Sequence, residues 1–497
     1  MLKQKIILRA DGNKLIGFGH IYRLLALADI LKEHFYIAFA LYKTSDFIEQ
    51  EIKSYCDEII ILPGELPYKT ADEISAGQEI NFDLKDILNG DEIVVLDGYH
   101  FGINYQKAVK EKNCKLVCID DLATNRFVAD AVINHAPGLD QSIYKMEAYT
   151  KLYTGLDYAI LRKPFMRPHS SINKIDGDVF ISLGGSDYFQ LTLKIARLLV
   201  DVKELNTLHI MYSNSFPKGM IDTLEKISNE TTRLKLYMNL SANEIADLMD
   251  TCEYAFVSAS TVLLEAYSRN LICFTGFYTT NHFFIYNGFI KLNKAIGLGN
   301  LKDLNPSILN EVFKNPDYYP NQNSDNLDTT SKQSDPPAKN LLKLFLDLNL
   351  KLRSVELADM KLYFDWANDE VVRNNSINQN AIEWDNHVRW FTDKLKSKYF
   401  KLYVLDYSAT PVGQIRTDLN EDGNWVINYS IDKLWRGFGF GKKIVQLLIE
   451  KEPGKLFLAF VKTSNDLSNK IFQSNGFDLS GVKIINNEKY NAFEYLK

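Results

Sequence analysis

The chain has 497 residues, too many for one hydrophobic core, and ordinary domain sizes imply about three compact units. Hydrophobic residues make up 46% and charged residues 24%, the balance of a globular chain. The net charge of −6 leaves no basic surplus for nucleic acid, so any phosphate-bearing ligand must be held by local features such as helix N-termini. No stretch is long and apolar enough to span a bilayer, and the short apolar run at the start soon meets Arg9 and Asp11, so neither a membrane span nor a signal peptide is expected. Five cysteines are scattered: Cys56, Cys114, Cys118, Cys252 and Cys273. Cys114 and Cys118 would lie about 13 Å apart on one strand face, too far for a disulfide. They read as small buried hydrophobes in a reducing compartment, which places the chain in the cytoplasm.

Short apolar runs alternate with helical patterns from the first residues. KIILRAD leads into a glycine-rich turn and a helix. YIAFAL, EIIIL, EIVVLDG, KLVCIDD and AVINHA follow, most of them separated by helical stretches. This βαβα rhythm predicts a mostly parallel sheet with helices on both faces. It restarts near Gly155 with DVFISLGG, TLHIMYS, RLKLYM, EYAFVSAS and LICFTGF. Residues 315–338 are poor in aliphatic side chains and rich in Asn, Asp, Ser and Pro, which predicts a flexible insertion. KNLLKLFLDL then reads as one closing helix. From near Lys351 the pattern changes to helix, strands, glycine turn, helix, strand and helix. The predicted fold class is α/β: two Rossmann-like domains, 1–154 and 155–347, followed by an α+β domain, 348–497.

The first glycine turn, Asp11 to His20, joins a strand to an amphipathic helix with Ile21, Leu24, Leu25, Ala28 and Leu31 on one side and Arg23, Asp29 and Lys32 on the other. Gly17 and Gly19 permit close backbone approach to a ligand. His20 opens the helix, where the dipole disfavours imidazolium and suits a general base that takes a proton from water. A histidine that only caps the turn is the other reading of this spacing.

Arg9-Ala10-Asp11, Ile16-Gly17-Phe18-Gly19-His20 and Arg23 together resemble the opening of the UDP-sugar hydrolases of pseudaminic acid biosynthesis. The resemblance runs over roughly residues 1–347. It recurs at Asp97-Gly98-Tyr99, at Asp120-Asp121, at Gly184-Gly185-Ser186-Asp187 and at Ser258-Ala259-Ser260-Thr261 with Glu265. Asn281 falls where the family has an Asn-Gln pair, and His282 replaces the glutamine. The resemblance implies a two-domain fold of the GT-B type and attack of water at the anomeric carbon, with inversion and departure of UDP. It implies His20 as base, Tyr99 and Asn281 as orienting groups, and Gly17, Gly184, Gly185, Ser186, Asp187, Ser260, Thr261 and Glu265 around UDP. No metal is implied, and no Asp/His cluster has ligand spacing.

In the last domain NWVINYSID reads as a strand. Trp435-Arg436-Gly437-Phe438-Gly439-Phe440-Gly441-Lys442 then opens a helix and presents successive backbone N–H groups to an anion such as a pyrophosphate. With Val461, the run Asn465 to Phe472 and Asn475-Gly476-Phe477, this resembles the GNAT acetyltransferases. Trp366-Ala367-Asn368-Asp369 and His387 to Phe391 resemble the subgroup that acetylates the 4-amino group of a UDP-linked altrosamine. That resemblance implies acetyl-CoA as co-substrate, held by Ile431, Arg436, Gly437, Gly439, Gly441, Lys442 and Asn465. Phe472 stands where many relatives have a tyrosine that protonates the leaving thiolate. His387 and Tyr429 are candidates for the base, and each reads equally well as a packed side chain.

The implied partners are a UDP-linked amino sugar, acetyl-CoA and neighbouring enzymes of the same pathway, with no nucleic acid and no membrane. Two other readings stay open on sequence. One is a glycosyltransferase that hands the sugar to an acceptor in place of water. The other is a last domain that binds acetyl-CoA as a sensor without turning it over.

Overall fold

The computed structural model describes residues 3–13, 17–66, 80–167, 174–185, 187, 189–305 and 336–496. The chain divides into two compact units, Met1–Leu342 and Lys343–Lys497. Most of the insertion read at 315–338 lies outside the described residues, but Pro337 and Ala338 open the helix Pro337–Asp347.

Among the described residues the first unit contains two large parallel sheets and a two-stranded parallel one, Arg126–Phe127 with Lys145–Met146. The seven-stranded one runs, edge to edge, Glu58–Leu62, Tyr36–Tyr42, Lys5–Arg9, Ile93–Asp97, Lys115–Ile119, Ala131–Asn134 and Lys151–Thr154. Its central strands are mostly apolar because helices cover both faces, and all of Ile93–Asp97 is buried, its closing Asp97 included. The strand order reverses between Lys5–Arg9 and Ile93–Asp97, and a crevice opens at such a switch point beyond the strands' C-terminal ends.

The six-stranded sheet runs Leu234–Met238, Leu208–Tyr212, Ile175–Ser182, Cys252–Ser258, Ile272–Phe277 and Ile296–Asn300. Its switch point lies between Ile175–Ser182 and Cys252–Ser258. Local signals set its helices. Ser241 and Glu244 form a reciprocal capping box that starts Ala242–Thr251. The two sheets carry separate apolar cores. Where their segments meet, the helix Phe283–Lys291 presses Gly288 so close to Pro137 that a Cβ there would lie 1.9 Å from the Pro137 carbonyl oxygen.

The second unit is built on one seven-stranded sheet. Its order is Leu350–Ser354, Phe400–Tyr407, Thr410–Leu419, Trp425–Ile431, Phe457–Lys462, Glu488–Tyr495 and Asp478–Ile485. All neighbours are antiparallel except Trp425–Ile431 and Phe457–Lys462. Those two pair only at Trp425 with Phe457 and Val426 with Leu458, and then part. From Ile427 onward the first of them therefore keeps its ladder to Thr410–Leu419 on one edge, while its other edge faces an opening.

Among the described residues, no helix is long and apolar enough to cross a membrane. Among them too, no group of three or more His, Cys, Asp or Glu side chains is arranged to hold a metal ion. All five cysteines are free thiols, and four are buried.

Candidate active sites

His20 is the second residue of the helix Gly19–Leu31, which follows the strand Lys5–Arg9. Asp97 ends the strand on the other side of the switch point. The crossover thus joins two residues 77 positions apart: His20 Nδ1 lies 2.7 Å from Asp97 Oδ1. A carboxylate at this distance holds the proton on Nδ1 and leaves Nε2 as the accepting nitrogen. The ring stands edge-on to Tyr99, 4.9 Å between centroids, and its side chain is 17% exposed.

Arg23, one turn on, is buried, although its place among polar helix positions suggested exposure. It donates to Asp97 from Nε at 2.8 Å and Nη2 at 2.6 Å, and to Asp121 from Nη1 at 2.7 Å and Nη2 at 2.9 Å. Tyr99 donates to Asp121 Oδ2 at 3.1 Å. Burial works to raise the Asp97 and Asp121 carboxyls. The Arg23 guanidinium outweighs it and holds both below the ordinary carboxylate range. Asp120 points the opposite way, to the Tyr144 hydroxyl and the Leu122 and Ala123 amides, and burial pushes it up.

Two further histidines border this cluster. Among the described residues, neither ring nitrogen of the buried His135, just past the strand Ala131–Asn134, has a hydrogen-bond partner. His282, also buried, stands edge-on to Tyr278 and has no partner at Nδ1 among the described residues. Burial first, and Arg23 second, take His135 down to about 4; burial takes His282 down to about 4 against the opposing pull of Asp121. The first lobe's Asp121 is thus felt by a side chain of the second.

The glycine turn Gly184-Gly185 and the helix Thr261–Ser268 lie at the switch point of the six-stranded sheet. Gly184 has φ +107°, the left-handed region that glycine tolerates, and a Cβ at Gly185 would meet nothing within 4 Å among the described residues. No side chain caps the N-terminus of Thr261–Ser268; Ser260 Oγ bonds instead with Ser258 Oγ at 3.0 Å. Its free amides suit an anion. Asp187 places both carboxylate oxygens on the Leu191 and Thr192 amides, at 2.9 and 2.6 Å, and so caps a helix. Glu265 is buried against Arg162, which donates from Nε at 2.7 Å and Nη2 at 2.8 Å. Asn281 accepts from the Thr279 hydroxyl at 2.6 Å, Gly17 has φ +78°, and Ser186 lies outside the described residues.

In the second unit Gly437 and Gly439 both have positive φ, +87° and +84°, and bend the chain into the helix Phe440–Lys451, whose N-terminus no side chain caps. A Cβ at Gly437 would meet nothing within 4 Å, whereas one at Gly439 would strike Lys343. The cradle therefore fits an anionic group approached by bare backbone. Arg436 is held by the Ile431 carbonyl at 3.0 Å and Asp369 at 2.6 Å, which pins the turn to the strand end. Lys442 is exposed, and Asn465 caps Asp466–Ser474 through the Ser468 amide at 3.1 Å. His387 is buried with Nε2 on the Met360 carbonyl at 2.9 Å, a packing role. Tyr429 and Ser468 share a hydrogen bond of 3.1 Å.

Sequence reasoning named His20, Tyr99 and Asp97 but gave no partner to Asp97, placed Arg23 outside, and passed over His135. The separations of 74 to 98 residues explain the first two, since only the crossover topology makes them neighbours.

The comparisons agree with this division. Residues 349–478 match the family model described as an acetyltransferase (GNAT) domain. The UDP-2,4-diacetamido-2,4,6-trideoxy-β-L-altropyranose hydrolase of Campylobacter jejuni is 27% identical over 53% of this chain and 87% of its own length. The spore coat polysaccharide biosynthesis protein SpsG of Bacillus subtilis is 27% identical over 53% of this chain and 74% of its own. An uncharacterized protein of Methanocaldococcus jannaschii is 22% identical over 95% of this chain and 96% of its own. The chain is therefore similar in its N-terminal half to the UDP-sugar hydrolases of this kind and carries a GNAT acetyltransferase domain at its C-terminal end.

Proposed function

We propose that the chain acts twice on one UDP-linked amino sugar. The GNAT domain acetylates the 4-amine of UDP-4-amino-4,6-dideoxy-N-acetyl-β-L-altrosamine, and the first unit then cleaves the anomeric C–O bond of the product. Residues 1–154 and 155–347 act as two Rossmann-like domains of a GT-B arrangement, and residues 348–497 as the acetyltransferase.

The observation that carries the hydrolase reading is the 2.7 Å contact between His20 and a buried, ionised Asp97 at a topological switch point. With Nδ1–H donated to Asp97, Nε2 takes a proton from water, and Asp97 stabilises the imidazolium that forms. The hydroxide attacks C1, the C1–O bond breaks with inversion, and UDP leaves. The amides at Gly184–Gly185 and at Thr261, with the Ser260 hydroxyl, receive the growing charge on the diphosphate. Tyr99 and Asn281 orient the sugar and the water. In this reading Asp187 and Glu265 act indirectly: Asp187 fixes the turn, and Glu265 fixes Arg162. The chemistry assigns no role to a metal.

Acetyl-CoA, the co-substrate, is held by the bare amides from Gly437 to Gly441, with Arg436 steadying the turn, Lys442 beside it and Asn465 along the arm. The opening beyond Val426, at Ile431 and its strand neighbours, takes the thioester. Both steps use the same soluble sugar nucleotide, which fits a cytoplasmic enzyme.

The test is a mass-spectrometric assay with the 4-amino UDP-sugar and acetyl-CoA. His20→Ala accumulates the acetylated UDP-sugar, with UDP release down by at least 10²-fold, the scale of a lost general base. UDP release at the wild-type rate would remove the assignment.

A further inference from the structure

We infer that Tyr429, paired with Ser468, is the proton donor to the departing thiolate in the acetyl-transfer step, an inference that rests on the acetyltransferase reading. A thioester that loses its acyl group to an amine leaves a thiolate, and protonating it prevents the reverse reaction. In the proposed reading the thioester enters where the two parallel strands part, so the hydroxyl is sought there.

Tyr429 lies in the middle of that opening, three residues past the last paired residue, Val426. Its backbone ladder on the other side, to Ile415, fixes its position. Its ring stands toward the two helices that flank the opening. A Cβ on Gly441 would lie 3.4 Å from Tyr429 Cε2 and 3.7 Å from its hydroxyl, at the N-terminus of Phe440–Lys451. The same hydroxyl meets Ser468 Oγ at 3.1 Å, on the helix that follows the partner strand. One phenol thus touches the glycine turn and bridges the gap between the separated strands.

Phe472, by contrast, is turned into the core. It is buried, and it packs on Phe477 at 5.0 Å and Phe493 at 5.9 Å between centroids. Tyr429 lies edge-on to it at 5.9 Å, so the hydroxyl that Phe472 lacks is supplied one side chain away. Burial pushes the Tyr429 phenol up to about 12, so it keeps its proton across the neutral range.

The step balances as follows. The amine nitrogen attacks the thioester carbonyl and the C–S bond breaks. The sulfur takes the electron pair and the Tyr429 proton. The proton lost by the acylated nitrogen returns through Ser468 to Tyr429. The products are the amide and the free thiol of CoA.

The experiment compares wild type, Tyr429→Phe and Ser468→Ala in two measurements. The first is thiol release from acetyl-CoA with the 4-amino UDP-sugar as acceptor, alongside CoA affinity by calorimetry. Tyr429→Phe lowers kcat by 10²-fold or more and leaves the Kd of CoA within about two-fold. Ser468→Ala lowers kcat less, by about ten-fold, since water can refill the phenol. A kcat within three-fold of wild type in Tyr429→Phe overturns the inference, as does a loss of kcat matched by an equal loss of CoA affinity.

The second measurement needs no acceptor. It follows the thiolate absorbance of bound CoA against pH. A donor hydrogen bond favours the thiolate, so Tyr429→Phe raises the pKa of the bound thiol by about one unit; an unchanged value overturns the inference. Wild type that turns over no 4-amino UDP-sugar would sink the substrate reading alone, because the thiol titration still decides the role of Tyr429.

Discussion

At the scale of single residues, the first unit concentrates charge where water is scarce. Arg23 holds two carboxylates at once, and one of them holds His20. Asp97→Asn keeps the shape but no longer dictates the histidine tautomer. We expect kcat for UDP release to fall by 10²- to 10⁴-fold, with KM changed little, measured by steady-state kinetics on the acetylated UDP-sugar. His135 and His282 act on stability. Burial lowers both to about 4 in the folded chain, while the unfolded chain binds the same protons near the ordinary value of 6.5. Below 6.5 the unfolded state therefore holds more protons, and stability falls as pH drops from about 6.5 to about 4. Each ring accounts for about 2 kcal/mol at pH 5 relative to pH 7, at about 1.4 kcal/mol per unit. Denaturant titrations at the two values check this, and His135→Leu should flatten part of the slope.

At the scale of elements, the alternation of strand and helix was legible because the central strands hold apolar runs and the helices carry apolar residues at helical spacing, although few have a side-chain cap. The strand Lys151–Thr154, with half-exposed residues, and Ile296–Asn300, with two glycines in five positions, gave no such run and were missed. The glycine turns were legible as turns. What faces them was not, because Asp187 and Glu265 look like ligand contacts in sequence and are engaged instead by amides and by Arg162. The helix Phe283–Lys291 shows how tightly elements from the two sheets meet. Gly288→Ala drives a methyl group into the Pro137 carbonyl, a backbone atom that cannot rotate away. We expect a loss of about 1–3 kcal/mol, read as a lower melting temperature, since overpacking costs that much. UDP release should suffer more than acetylation, because the strain sits in the first unit.

At the scale of the whole molecule, two compact units with separate cores imply separable chemistry. Gly439 has φ +84° and lies against Lys343, so Gly439→Asp is strained and brings a carboxylate to the anion cradle. The variant should lose acetyl transfer by at least 10²-fold while releasing UDP from pre-acetylated substrate within about two-fold of wild type. Mass spectrometry of both products checks it; a joint loss of the two activities would argue for coupled units. The length called for more than one core, and the change of pattern near Lys351 falls a little after Lys343, where the second compact unit begins.

The Arg162–Glu265 pair has a consequence for how an acidic protein receives an acidic ligand. With Glu265 paired to Arg162, Asp187 bonded to two amides, and one guanidinium, that of Arg23, shared by Asp97 and Asp121, these four carboxylates face two cations, so the negative charge here is reduced but not cancelled. A nucleotide dianion must then be captured by short-range dipoles against a residual repelling field. Its capture should not weaken as salt is added, unlike that of a ligand drawn in by opposite charge over a Debye length.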